Sequence, residues 1–331
     1  MDFQKTYNTN YFCLNIDTDN KYIYESIHSY FSIYNNIKQT AKIPQNLSFF
    51  INVNSPPDIL KNLNILNTSF KKIAEHKKRF IVYEISRAEY LVEFYNNFCK
   101  MIITFFPKNN TKIECYVEKP ERCGIDFFPN FIIIAAIEII FKFKHFFFIH
   151  SSLVTKNNIG ILLPGNSGSG KTTLAFYLMS FGYKLISDDK VFAGFSNGKL
   201  YCRGVLQPVD IIKKKDKFLL NSGLLNSIML ESSETDSRIY IKQFNPNIIE
   251  NKTQIKFIFF PKIGKAFCQR KISKNEALTM LMKSSITPNF NIALEKHFEV
   301  LNNLVEKSET YSIVVGNKLR EFSNFIENIL I

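Results

Sequence analysis

The chain has 331 residues, 46% of them hydrophobic and 21% charged, which is enough apolar material for two packed domains and too much for a disordered chain. Its formal charge of +13 would draw polyanions, but the lysines are scattered (Lys71, Lys72, Lys77, Lys78, Lys213, Lys214, Lys215) and no zinc-finger or RNA-binding signature accompanies them, so a nucleic-acid partner is not expected. The six cysteines lie far apart with no C-x-x-C pair, which argues against a zinc site and for free thiols in a reducing cytoplasm.

Along the chain, the opening Met-Asp-Phe-Gln-Lys lacks the basic start and apolar run of a signal peptide. Residues 1–125 read as a small α+β domain. Its expected elements are a strand near Tyr11–Ile16, a helix near Tyr22–Tyr34, and strands near Leu47–Val53, Phe80–Ile85 and Lys112–Val117. No catalytic spacing occurs there, which leaves the domain open to a substrate-recognition role. Pro and Gly punctuate Lys119–Gly124, marking a boundary before a second domain over 126–331. The apolar run Phe131–Phe141 is broken by Glu138 and followed by Lys142, Lys144 and His145. A membrane span needs about 20 apolar residues, so a buried helix is expected, with an interfacial anchor as the alternative.

After Asp126 the pattern becomes α/β. Strands are expected at Phe146–Val154 and Ile159–Leu163, then a glycine-rich segment, a helix over Lys171–Phe181 stopped by Gly182, and a strand over Tyr183–Ser187 that ends on Asp188 and Asp189. Asn197-Gly198 signals a tight hairpin. Beyond it come a core strand at Ile255–Phe260 and a capping box, Ser273 to Glu276, that starts a helix near Lys274. Helices near Ile292–Val305 and Asn317–Ile329 flank a strand at Tyr311–Val315.

The segment Gly165-Asn166-Ser167-Gly168-Ser169-Gly170-Lys171-Thr172-Thr173 fits G-x-x-x-x-G-K-[ST] between a strand and a helix, the context a phosphate-binding loop requires. Its glycines permit backbone angles that turn N–H groups inward, and the helix N-terminus adds the positive end of its dipole. The expected ligands are ATP and Mg2+, with Lys171 reaching the β and γ phosphates and Thr172 on the metal. Asp188 lies only 17 positions after Lys171, which sets Asp188 and Asp189 one crossover from the loop, where metal coordination and proton abstraction are needed. The bland reading of the pair is surface acids capping a turn.

The runs His150-Ser-Ser-Leu-Val154, Ile161 through Ala175 and Gly182 through Asp189 resemble HPr kinase/phosphorylase. The likeness is closer still to the HPr-kinase-related kinases encoded beside peptide-modification genes, some of which act in lasso-peptide maturation. Segments such as Phe259–Lys262 and Ser285–Asn291 extend it over nearly the whole chain. The resemblance implies the α/β phosphate-loop kinase fold shared with ATP-dependent phosphoenolpyruvate carboxykinase, here preceded by the small α+β domain. It also implies transfer of the ATP γ-phosphoryl group to a Ser/Thr hydroxyl of a peptide or small protein.

By that resemblance Asp188 serves Mg2+, Asp189 accepts the hydroxyl proton, and His150 lies near the phosphates; a satisfied core histidine is the other reading of His150. The chain departs from the family at Tyr201-Cys-Arg-Gly204, where Cys202 stands in place of a metal-binding glutamate. Arg203 and Arg238 are candidate phosphate or substrate contacts. HPr kinase is a homo-oligomer, so self-association is a further expectation. The alternatives are a kinase of a small molecule such as free serine or a sugar, and a non-catalytic module that binds peptide under nucleotide control.

Overall fold

A computed structural model describes residues 3–9, 12–34, 46–53, 70–76, 79–95, 99–106, 110–124, 127–212, 220, 224–235, 238–245, 247, 249–285, 292–315 and 319–330. Tyr11, Lys77, Lys78, Asp126, Lys213, Lys214, Lys215, residues 286–291 and Asn317 lie outside the described residues. The chain is a mixed α/β protein that divides into two compact units, Met1–Phe143 with Thr287–Ile292, and Lys144–Ile286 with Ala293–Ile331.

In the first unit the strands are β1 (Phe3–Asn8), β2 (Cys13–Thr18), β3 (Asn46–Asn52), β4 (Lys71–His76), β5 (Phe80–Ser86), β6 (Glu89–Phe94), β7 (Cys99–Phe106) and β8 (Asn110–Val117). They form one sheet in the order β1-β2-β3-β8-β7-β6-β5-β4. β2, β3 and β8 run parallel, while β4 through β8 form an antiparallel meander. Alternation explains the sheet's buried face: Leu14 and Ile16, Leu47, Phe49 and Ile51, then Ile113, Cys115 and Val117 are all buried, every second residue of their strands.

Helix α1 (Lys21–Phe31) starts where the Asn20 side chain accepts from the Ile23 N–H, a preferred N-cap. It buries Ile23, Ile27, Tyr30 and Phe31, one helical stripe. The apolar run forms a π-helical turn, Phe128–Ile133, continuing as α2 (Ile134–Phe143). Nearly every residue of α2 is buried. Phe141 packs against Phe12, and Phe143 against Tyr90 and Phe105, so this helix belongs to the first unit. The division therefore falls at Phe143/Lys144 rather than at the Pro/Gly punctuation of 119–124, because aromatic packing, not the turn, decides where the helix goes. No helix among the described residues is long and apolar enough to cross a membrane.

The second unit carries β9 (Phe147–Lys156), β10 (Ile159–Pro164), α3 (Lys171–Ser180), β11 (Lys184–Ser196), β12 (Lys199–Gly204), β13 (Val209–Ile212), α4 (Leu224–Ile228), β14 (Met229–Glu234), β15 (Arg238–Phe244), β16 (Lys252–Ile263), β17 (Cys268–Lys271), α5 (Lys274–Lys283), α6 (Leu294–Lys307), β18 (Glu309–Val315) and α7 (Leu319–Leu330). Its main sheet has the order β10-β9-β11-β12-β16-β18-β17, and β10 also pairs with β16, which closes five of the strands into a ring. β13, β15 and β14 form a separate sheet. The core joins Phe147, Ile149, Leu153, Leu162, Val191 and Ile258 of the sheet to Leu281 of α5 and to Val300, Leu301 and Leu304 of α6. Burial of each such aliphatic side chain contributes about 1.5–3 kcal/mol.

Local signals behave as their chemistry requires. Asn197 and Gly198 both take positive φ, 50° and 72°, the requirement of the tight turn joining β11 to β12. The Ser273 hydroxyl accepts from the Glu276 N–H at 3.2 Å and starts α5.

Candidate active site

The site is assembled where β10 ends beside the middle of β9 and β11. β10 ends at Pro164, paired with Ser151 of β9, and the Gly165 N–H then donates to the His150 carbonyl at 3.3 Å. The loop between β10 and α3 is thereby tied to the strand that carries His150. Gly168 and Gly170 adopt φ of +80° and +95°, the left-handed region that favours glycine. A Cβ on Gly165 would stand 2.7 Å from the Ser169 hydroxyl, so the loop folds back too closely for any side chain there. The cap of α3 makes no side-chain hydrogen bond, and the positive end of the helix dipole faces the loop. The apolar side chains Leu174, Ala175, Phe176 and Leu178 bury the helix against its surroundings, which holds that terminus rigidly.

Two carboxylates face this loop. Asp188 pairs with Ser152 across the β9–β11 ladder, and Lys190 with His150. The Asp188 carboxylate accepts from Ser152 Oγ at Oδ1 and from Thr172 Oγ1 at Oδ2, at 2.8 Å. Its backbone oxygen accepts from Gln207 Nε2 at 3.0 Å. Strand alternation would turn Asp189 to the opposite face. Instead Asp189 takes φ of +101°, and its Oδ1 meets His150 Nε2 at 2.5 Å while Oδ2 lies 3.8 Å from Lys190 Nζ.

The pair was expected to end its strand, but β11 runs through both residues to Ser196. Asp189 stays paired with Ser151, and the ladder to β9 keeps its register from Ser187 to Ala193; its one irregularity lies earlier, between Leu185 and Ser187. A non-glycine residue held at positive φ costs on the order of 1–3 kcal/mol.

Burial and charge set different protonation preferences for the two acids. Burial raises the Asp188 carboxyl above its ordinary range, partly offset by the hydrogen bonds from Ser152 and Thr172. Burial also works upward on Asp189, but the His150 hydrogen bond, with the nearby Lys190 and Lys171 charges, outweighs it and leaves that carboxyl depressed. Lys171 is only 6% exposed. Burial lowers its ammonium pKa against the pull of Asp189 and Asp188, and its Nζ donates to the Asn166 carbonyl at 3.1 Å.

The donor set fits a triphosphate with its magnesium. The buried Ser169 Oγ has no hydrogen-bond partner among the described residues, a donor inside the loop suited to an anion. Mg2+ typically takes one or two protein oxygens plus phosphates and water, and Thr172 with Asp188 offers that set. No cluster of three or more His, Cys, Asp or Glu suited to a metal occurs among the described residues.

The structure thus brings together Gly165 through Thr173, His150, Asp188 and Asp189. His150 is neither a plain core histidine nor isolated; it is half-buried and engaged with Asp189. Cys202 is fully buried in the core cluster, and burial drives its thiol pKa far upward, so it is not placed to hold a metal. Arg203 stands opposite Phe192 on β11, with its guanidinium over the Phe146 ring at 4.6 Å, three positions along the strand from Asp189. Gly204 has a packing reason of its own: a Cβ there would lie 2.3 Å from that of Ser187. Arg238 opens β15, paired with Ile212, and its side chain lies outside the described residues.

Ser152, Lys190 and Gln207 escaped sequence reasoning. Ser152 had a legible signal, a polar residue inside an apolar strand two positions from His150; Gln207, in an irregular stretch, had none. No protein-family model matches the chain, and no curated protein matches it.

Proposed function

We propose that the chain is an ATP-dependent kinase of the HPr-kinase type that transfers the γ-phosphoryl group to a Ser or Thr hydroxyl of a peptide or small protein. The observation that carries this reading is the convergence at one loop of two acids with separate partners, Asp188 on the Thr172 hydroxyl and Asp189 on His150. A generic nucleotide binder needs no second, separately oriented carboxylate.

In this reading the loop N–H groups and the N-terminus of α3 bind the phosphates, and Lys171 turns from Asn166 to neutralise their charge. Thr172 and Asp188 hold Mg2+, which supplies charge neutralisation on the phosphates. His150 and Lys190 fix the Asp189 carboxylate and keep it ionised at neutral pH. Asp189 takes the proton from the acceptor hydroxyl as that oxygen bonds to the γ-phosphorus and the bond to the bridging oxygen breaks, leaving a phosphate ester and ADP. A hydroxyl is a weak nucleophile, and a positioned base contributes about 10²–10⁴ in rate to such steps.

Labelled ATP, Mg2+ and a broad panel of Ser- and Thr-containing peptides, with free serine and sugars alongside, test the proposal. Label on peptide hydroxyls supports it. Label only on a small molecule would replace the acceptor class, and no transfer to any hydroxyl would refute the kinase reading.

A further inference from the structure

Asp188 is held on both carboxylate oxygens by hydroxyls from different elements, Ser152 of β9 on Oδ1 and Thr172 of α3 on Oδ2. The two hydroxyls are not equivalent. Thr172 belongs to the loop motif and is only partly buried. Ser152 is 0% exposed and is the ladder partner of Asp188, with Leu153 and Val154 buried beside it. A hydroxyl in so apolar a strand costs free energy unless it is bonded, and its partner here is the acid. Gln207 fixes the same residue from its backbone oxygen at 3.0 Å.

We infer that Ser152 is a positioning residue for the divalent-cation site. By occupying Oδ1 it locks the orientation of the carboxylate and leaves Oδ2, the oxygen beside the Thr172 hydroxyl, to face the cation that accompanies the nucleotide. Ser152 itself does not touch the cation. Carboxylates that hold metals are oriented by outer hydrogen-bond partners, and loss of one such partner typically lowers metal affinity 10–100-fold. The inference rests on the nucleotide-binding reading above, and its test separates the two.

The measurement is the affinity of the full chain for a fluorescent ATP analogue, titrated once with Mn2+ and once with EDTA. The readout is the factor by which Mn2+ tightens binding. In Ser152→Ala that factor is expected to fall about tenfold, while the affinity in EDTA stays within about twofold of the native value. Ser152→Cys, with similar volume and a weaker donor, is expected to shift the same way by less, and it carries the test should the alanine variant not fold.

An unchanged Mn2+ factor in Ser152→Ala overturns the inference. So does an equal loss with Mn2+ and with EDTA, which would mark Ser152 as purely structural. A native chain that binds the analogue without any Mn2+ effect overturns it as well. A native chain that does not bind the analogue at all refutes the underlying nucleotide reading, and this inference with it.

Discussion

Asp189 shows how one residue can sit against its local preference for a chemical end. Its φ of +101° is tolerable for aspartate and asparagine but costly for most side chains. Asp189→Asn is therefore expected to keep the fold and nucleotide affinity while phosphoryl transfer falls about 10²–10⁴-fold; circular dichroism, nucleotide titration and label transfer check the three parts. The two acids and the loop were legible because each needs a particular residue type. The length of β11 was not, because Asp-Asp-Lys after an apolar run reads as a strand's end, and only pairing with Ser151 and His150 shows the strand continuing.

A second residue carries a pH dependence. Lys142 is 6% exposed, and burial, partly offset by Glu138, lowers its pKa to about 8, against about 10.4 for a free lysine. A base depressed on folding binds fewer protons folded than unfolded between those values, so stability rises with pH across the window. Relative to Lys142→Met, the native chain should gain on the order of 3 kcal/mol between pH 8 and 10.4 and show no relative change below pH 7. Denaturant titrations at several pH values check this; a flat difference would contradict the assigned burial.

At the scale of elements, the second unit was the more readable because its signals are local. Ser273 caps α5, Asn197-Gly198 turns β11 into β12, and Gly182 at φ +80° follows α3. Ser273→Ala should lower stability by about 1 kcal/mol. The meander β4–β7 was largely missed, since only Phe80–Ile85 reads clearly as a strand; Lys71–His76 begins with two lysines and alternates weakly, and its pairing with β5 comes from tertiary context. Nothing in the sequence marks the constraint on Gly204, which is the close approach of β11 at Ile186 and Ser187. Gly204→Ala should cost about 1–3 kcal/mol, visible as a lowered Tm, and should weaken nucleotide binding through the same strand that presents Asp188.

For the whole molecule, the net charge of +13 identifies no partner, and function has to be argued from one site in the second unit. If that site binds nucleotide, binding must stabilise the fold by mass action, about 2.7 kcal/mol at a ligand concentration 100 times Kd. Lys171→Ala should abolish both this thermal shift and nucleotide turnover without lowering the Tm of the free chain.

The most direct test of the central claim is the transfer of γ-labelled phosphate from ATP to Ser and Thr peptides by the native chain, Lys171→Ala and Asp189→Asn, run beside nucleotide affinities. The account predicts label on a hydroxyl with the native chain. Lys171→Ala should lose both binding and transfer, and Asp189→Asn should lose transfer alone. Equal transfer by Asp189→Asn and the native chain, or no transfer by the native chain across the panel despite tight nucleotide binding, would contradict it.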